Sequence, residues 1–324
     1  MFDGKREPSP KVGLVLGSGS ARGWAHLGVI RALAEAGIEI SHVAGASIGA
    51  LVGAGLTLDK TDVLEDFARQ LDWKQIVSFL DVTFPRSGLI DGGKVTDFFR
   101  SHVRETKIEE LPLPYCAVAT DLATGEEVLL NKGDLVEAIR ASISIPGIFT
   151  PVKFNGRFLV DGGLVNPVPV SAARNMGADY VIAVDLNHDL VDKGKPGARA
   201  TSDSSPKSEA DKSQLAKWGV TQDLADKINQ LSSPALSHVR RWLLREPTPN
   251  IFEVLTASIN IMATQLTAIK LKTDPPDLLI QPKLGHLRFM EFHRAEEAIA
   301  EGYRETVRQL KQSRKGASKG DLSS

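Results

Sequence analysis

Between residue 11 and about residue 190 the chain is punctuated by short apolar runs that lack polar alternation. They are KVGLVLG (11–17), SHVAGAS (41–47), YCAVAT (115–120), EEVLL (126–130), GRFLV (156–160) and DYVIAVDL (179–186). A strand that is apolar on successive residues has both faces covered, which is the habit of sheets sandwiched between helices. Helical patterns separate these runs. One is WAHLGVIRALAEA (24–36), closed by Gly37 where a helix commonly ends on glycine. Strand–helix–strand order predicts an α/β fold: a mostly parallel sheet with helices on both faces.

The later sequence continues the pattern. In 251–271, Ile251, Leu255, Ile259, Met262, Leu266 and Ile269 fall on one helical face. DLLIQP (277–282) reads as a strand that adds to the first sheet. A last helix carries Ala295, Ile299, Tyr303, Val307 and Leu310, with Lys311 and Arg314 at its cation-favouring end. One domain over 11–314 is therefore expected, after a disordered lead at 1–10 and before a polar, disordered tail at 315–324. Residues 191–213, rich in Gly, Pro, Ser and charge, read as a mobile insert.

Composition removes several classes. Lys+Arg total 39 and Asp+Glu 40 of 324 residues, a net charge of −1, which argues against a broad nucleic-acid-binding surface. The single cysteine, Cys116, excludes an intramolecular disulfide and suits a reducing compartment; in its apolar run it reads as a core residue. The polar N-terminus is followed by VGLVL, too short for a signal-peptide core, and no stretch reads as the ~20 apolar residues of a membrane span. A cytoplasmic protein is expected, one that meets a membrane only from the side. No residues are spaced for zinc or for an EF-hand, so no metal and no cofactor is expected.

Three motifs carry chemistry. In the first, the strand LVL runs into Gly17-Ser18-Gly19-Ser20-Ala21-Arg22-Gly23, a turn that offers backbone N–H groups to an anion. Its glycines fall at relative positions 1, 3 and 7; a dinucleotide fingerprint needs 1, 3 and 6. Position 6 is Arg22, so that reading is weakened, although Glu39 supplies an acidic residue about 20 positions on. No Gly-Lys-Ser/Thr follows, which excludes a phosphate-binding P-loop. The second motif is Gly45-Ala46-Ser47-Ile48-Gly49, between an apolar strand and a helix-like run. Strand, tight turn and helix are the context in which GxSxG lifts a serine hydroxyl clear of the sheet as a nucleophile; the bland alternative is a turn serine.

A nucleophilic serine needs a base. None of the seven histidines (His26, His42, His102, His188, His238, His286, His293) sits in a setting that marks it as one. The third motif, FLVDGG (158–163), ends a β-rich run on Asp161, followed by two glycines that permit close approach. A carboxylate there can take the serine proton directly, provided it is well oriented and partly desolvated. Asp91-Gly92-Gly93 repeats the same letters, but it precedes a helical run and reads as an N-cap or turn.

In this order, GSGSARGWAHLGV, GASIGALVGA, RASISIPGIFTPV and LVDGGLVNPVPV resemble the patatin-like phospholipase family, and within it the bacterial neuropathy-target-esterase class of RssA type. The likeness extends to TDPPDLLIQP and FHRAEEAI. The resemblance implies a three-layer α/β/α sandwich and hydrolysis of lipid acyl esters by a Ser–Asp dyad. It places the nucleophile at Ser47, with Gly45 and Gly49 as its elbow, and the general base at Asp161. It places the oxyanion loop at Gly17, Ser18, Gly19, Ser20, Arg22 and Gly23, with Arg22 at the family's basic position. Ser18 and Ser20 depart from an all-glycine loop, which bears on how completely the oxyanion hole forms.

The expected substrate is a phospholipid, lysophospholipid or other lipid ester. Two segments could supply access to it: the apolar 73–90, as a lid or acyl-pocket lining, and 238–246 (HVRRWLLRE), as an interfacial helix. Both also read as ordinary packing. The competing function is a regulatory or adaptor protein on the same fold with little turnover; a dinucleotide enzyme leaves GASIG and LVDGG unexplained. Head group, acyl length, cleavage position and oligomeric state are not legible in the sequence.

Overall fold

The computed structural model describes residues 10–72, 93–103, 105–190 and 251–320. Most of the lead, the 191–213 insert, the 73–90 segment, Asp91 and the 238–246 stretch lie outside these residues. Two units partition the chain, Met1–Val191 with Leu255–Ser324, and Asp192–Val254. The description below concerns the first.

In chain order the elements are β1 (Val12–Leu16), a 3₁₀ turn (Ser20–Trp24), α1 (Ala25–Glu35), β2 (His42–Ala46), α2 (Ile48–Thr57), α3 (Thr61–Gln70) and α4 (Gly93–His102). There follow β3 (Tyr115–Asp121), β4 (Glu127–Leu130), α5 (Leu135–Ser142), β5 (Val152–Phe154), β6 (Arg157–Asp161), α6 (Val170–Asn175) and β7 (Tyr180–Val184). The last are α7 (Ile251–Thr273), β8 (Leu278–Ile280) and α8 (Ala295–Gly320).

The strands form one mixed sheet in the order β5-β6-β3-β2-β1-β7-β8, with β4 also paired to β3. From β3 across to β8 the pairings are parallel, and β8 does join the first sheet, with Leu278 beside Ile182. β4, β5 and β6 pair antiparallel. The expected layers are present, but a third motif strand running against its neighbour was not expected from strand–helix alternation. The cause is local. Asn155 (φ 47°) and Gly156 (φ 80°) make the two-residue turn with both central residues left-handed that closes a β-hairpin, so β6 returns directly from β5.

The parallel strands are apolar on successive residues because each side of the sheet has its own core. Leu14 and Leu16 of β1 pack with Leu33, Val52 and Ile299 on one side. Val15 packs with Val118, Ala173 and Val181 on the other. Cys116 is buried in the second core, where desolvation pushes its thiol up to about 12, as befits an inert core residue. α1 ends as its sequence predicts: Gly37 (φ 72°) donates to the Ala34 carbonyl and Ile38 to that of Leu33, the paired bonds of a Schellman cap.

Two helices differ from expectation. α8 continues to Gly320, into the stretch read as a disordered tail; nothing in QSRKGASKG forbids helix, since it lacks proline. α7 is long and apolar enough, by length and composition, to cross a membrane, contrary to the reading that no stretch qualifies. Counting only strictly apolar residues missed it because alanine and threonine fill the gaps between its aliphatics. Its orientation was not given by the pattern. The buried residues are Thr256, Ala263, Thr264 and Thr267, while Ile251, Ile261, Met262 and Ile269 are exposed.

Candidate active site

β2 ends at Ala46 and α2 begins at Ile48, so the whole turn between them is Ser47. Its backbone (φ 56°, ψ −128°) lies in the left-handed half of the map, a strain on the order of 1–3 kcal/mol. The glycines on either side make the turn possible. A Cβ on Gly49 would stand 2.0 Å from the Leu16 carbonyl oxygen, and one on Gly45 2.4 Å from that of Gly49. The strained amide is held as well: Ser47 N–H donates to Ser142 Oγ (2.9 Å), which donates to the Val118 carbonyl (2.6 Å). Ser142, at the end of α5, was not singled out from the sequence; it lies in RASISIPG, which the resemblance quoted without assigning it a role.

Asp161 is the last residue of β6, and the antiparallel hairpin delivers it to Ser47. Ser47 Oγ donates to Asp161 Oδ2 at 2.5 Å, and both side chains are buried. The other carboxylate oxygen accepts the Gly163 N–H at 2.7 Å, and Thr120 Oγ1 donates to the Asp161 carbonyl, fixing the backbone. Burial raises the carboxyl from its ordinary range to about 6, partly opposed by the hydrogen bonds from Ser47 and Gly163. Such a group is ionised at neutral pH yet basic enough to accept a proton.

The glycine-rich loop lies beside this pair, and the cleft between them is lined by Ser18, Gly19, Ser20, Arg22, Ser47, Asp161 and Gly163. Not every loop amide is available. Gly17 N–H donates to the Val184 carbonyl and Ser18 N–H to that of Pro167, so these two, expected to face an oxyanion, are spent in holding the loop. The N–H groups of Gly19 and Ser20 find no acceptor among the described residues. Of the four amides from Gly17 to Ser20, that pair is left unspent. Gly23, which lies against Ile48, is a packing residue rather than a lining one.

The two serines that replace glycine are ties. Ser20 Oγ donates to the Phe289 carbonyl at 2.6 Å. Ser18 receives the Asn187 carboxamide on its carbonyl (3.1 Å) and its hydroxyl (3.3 Å). Arg22, fully buried, binds the Gly19 carbonyl through Nε (3.0 Å) and Asn260 Oδ1 through Nη2 (3.1 Å). His26 is buried too. Its Nε2 lies 2.8 Å from the Gly17 carbonyl and must carry the proton, since a carbonyl only accepts. Desolvation lowers this imidazole to about 4, so it is neutral at working pH and serves the loop, not the serine.

Asn187, Asn260 and Phe289 were missed in the sequence. Asn187 follows a strand in DLNHD, Asn260 interrupts an apolar helix, and Phe289 contributes only its carbonyl. An asparagine three residues after a strand was the one available signal. Among the described residues no group of three His, Cys, Asp or Glu is placed to hold a metal ion.

This arrangement can be set beside known proteins. The family model described as patatin-like phospholipase matches residues 14–174, which include the loop, the elbow and Asp161. The NTE family protein Rv1063c of Mycobacterium tuberculosis, itself uncharacterised, is 36% identical over 332 residues, covering 91% of this chain and 89% of its own length. This chain belongs to the patatin-like phospholipase family.

Other members of the family are larger. Patatin-like phospholipase domain-containing protein 7 of Mus musculus is 28% identical over 90% of this chain and 20% of its own. Neuropathy target esterase sws of Drosophila melanogaster is 34% identical over 54% of this chain and 13% of its own. Among solved structures, VipD from Legionella pneumophila aligns with 94% of this chain and 67% of its own at 17% identity, with a TM-score of 0.45. Membership in the patatin-like family accounts for the mixed α/β sheet flanked by helices.

Proposed function

We propose that this chain is a serine hydrolase that cleaves carboxylic ester bonds of lipids, phospholipid or lysophospholipid, with Ser47 as nucleophile and Asp161 as general base. The observation that carries the reading is the 2.5 Å hydrogen bond from Ser47 Oγ to a buried, neutral-poised carboxylate. Family membership supplies the substrate class.

The chemistry balances without a third group. Ser47 Oγ attacks the ester carbonyl carbon as Asp161 Oδ2 takes its proton. The oxygen that becomes negative is met by the N–H groups of Gly19 and Ser20; loss of one such donor typically costs ~3 kcal/mol of barrier. The intermediate collapses, the C–O bond breaks, and the leaving alcohol recovers the proton from Asp161. Water then attacks the acyl-serine, giving its proton to Asp161; the acyl C–Oγ bond breaks, Asp161 returns the proton to Ser47 Oγ, and the fatty acid leaves. No cofactor enters the sequence of steps. The enzyme works in the cytoplasm, at the inner face of the membrane that holds its substrate, as a single catalytic domain interrupted by the 191–213 insert.

Fluorophosphonate labelling followed by product analysis on a panel of lipid esters tests this. Labelling of wild type that is lost in Ser47→Ala, with fatty acid released only by wild type, is the expected result. A folded wild type that takes no label overturns it in favour of an adaptor on the same fold.

A further inference from the structure

α7 turns several polar side chains toward the cleft and leaves large aliphatics exposed on its other side. Toward the cleft it turns Asn260, which accepts from Arg22, and Thr264, whose Oγ1 donates to the Asn187 carbonyl at 3.1 Å. Away from the cleft, Ile261, Met262 and Ile269 are 52, 48 and 58% exposed. A helix facing water does the reverse, setting its aliphatic stripe against the core and its polar residues outward. Charge follows the same logic. From Leu255 to Ile269 there is no ionisable residue; Glu253 stands before this stretch, and Lys270 and Lys272 close it. An apolar stripe ended by lysines, whose stems can lie along the acyl boundary while their heads reach phosphate, is the pattern of a helix lying in a lipid interface.

We infer that the outward face of α7 is the surface by which this protein docks on a lipid bilayer. The inference rests on the lipid-ester reading of the cleft and gives that reading its point of contact. Ile259 and Ala263, on the same helix, line the cleft, so a bilayer held by the outer face lies about one helix diameter, ~10 Å, from the wall beside Ser47. A second copy of the chain is a poorer occupant. A stable protein interface takes about 20–30 residues a side, and the one exposed stripe of a single helix falls far short. The spanning alternative is closed to this helix, because its other side is committed to Arg22 and Asn187.

Flotation of the full chain with vesicles of phosphatidylethanolamine and phosphatidylglycerol is the test. Wild type is expected to rise with the vesicles. The triple variant Ile261→Gln, Met262→Gln, Ile269→Gln is expected to stay behind with at least a tenfold loss of bound fraction, at an unchanged melting temperature. The matching triple leucine variant is expected to float. If the triple glutamine variant fails to fold, the three single glutamine variants replace it, each expected to lower the bound fraction. Ser47→Ala is expected to float like wild type, so docking is read without turnover: floating protein that cleaves no ester leaves this inference standing and removes the hydrolase. Wild type that does not float, glutamine variants that float undiminished, or a wild-type dimer that the variants convert to monomer would each overturn it.

Discussion

The two walls of the cleft are built on opposite principles. The Ser47 wall is set by backbone: a one-residue turn between buried elements, with glycines at positions where a Cβ would meet a carbonyl oxygen. The facing loop is set by partners drawn from far along the chain, the carbonyls of Val184, Pro167 and Phe289 and the side chains of Asn187 and Asn260. The proposed nucleophile is thus held by the sheet's own backbone. The proposed oxyanion donors are only as fixed as a set of individual hydrogen bonds, each with a modest net worth of about 1 kcal/mol.

The contrast breaks first at the dyad. Ser47→Ala and Asp161→Asn should each cut ester turnover by on the order of 10⁴-fold or more while the chain still folds. Asp161→Asn should also melt higher than wild type at neutral pH. The Asp161 carboxyl, at about 6 in the fold against an ordinary 3.8, favours the protonated folded state. Its stabilisation is therefore present below about 4 and lost as pH rises through about 6. At pH 7.5 the buried carboxylate costs on the order of 3 kcal/mol, which the amide avoids. Calorimetry at pH 7.5 and pH 4 checks this; an equal melting difference at both values contradicts it. In turnover the same group should make kcat/KM fall tenfold per pH unit below about 6, a slope absent if another base serves Ser47.

Next in size is the backbone wall. Gly49→Ala should destabilise the protein by about 3 kcal/mol or prevent folding, because the Leu16 carbonyl cannot retreat without opening β1. A soluble variant with wild-type melting would show that the elbow is looser than its geometry. The side-chain wall should respond in rate rather than in folding. Asn187→Ala, which frees Ser18, is expected to lower kcat about tenfold with KM little changed, as loosened donors lose transition-state contacts first. An equal loss in KM alone would make Asn187 a substrate contact. The smallest effect belongs to Ser20. Ser20→Ala loses the bond to the Phe289 carbonyl and keeps a left-handed backbone (φ 51°), so it should cost about 1 kcal/mol of stability. Ser20→Gly, which loses the same bond but relaxes the backbone, should cost less.

The sequence made the strands legible because a strand buried on both sides leaves no alternation to misread, and β1, β2, β3 and β7 fall where their apolar runs predict. The hairpin was legible in principle from Asn155-Gly156, yet β5 is only three residues long and its apolar signal is too brief to register. For α7 the periodicity reports where aliphatics line up, not what they face. Polar residues that satisfy a buried loop count against burial in any hydrophobic pattern, although here they mark it.

What the sequence determined by itself is the order of the motifs and the local turns that carry them, since these depend on neighbours within a few residues: GASIG can be a one-residue turn only with its glycines. What tertiary structure alone decided is which donors remain. Whether Gly17 or Gly19 offers its N–H to the cleft depends on Val184 and Pro167 taking the amides of Gly17 and Ser18, and on Asn187, Asn260 and Phe289 holding the rest. Those partners lie more than a hundred residues away in the chain, and hydrogen bonds satisfied across such distances leave no trace in the local pattern of either segment.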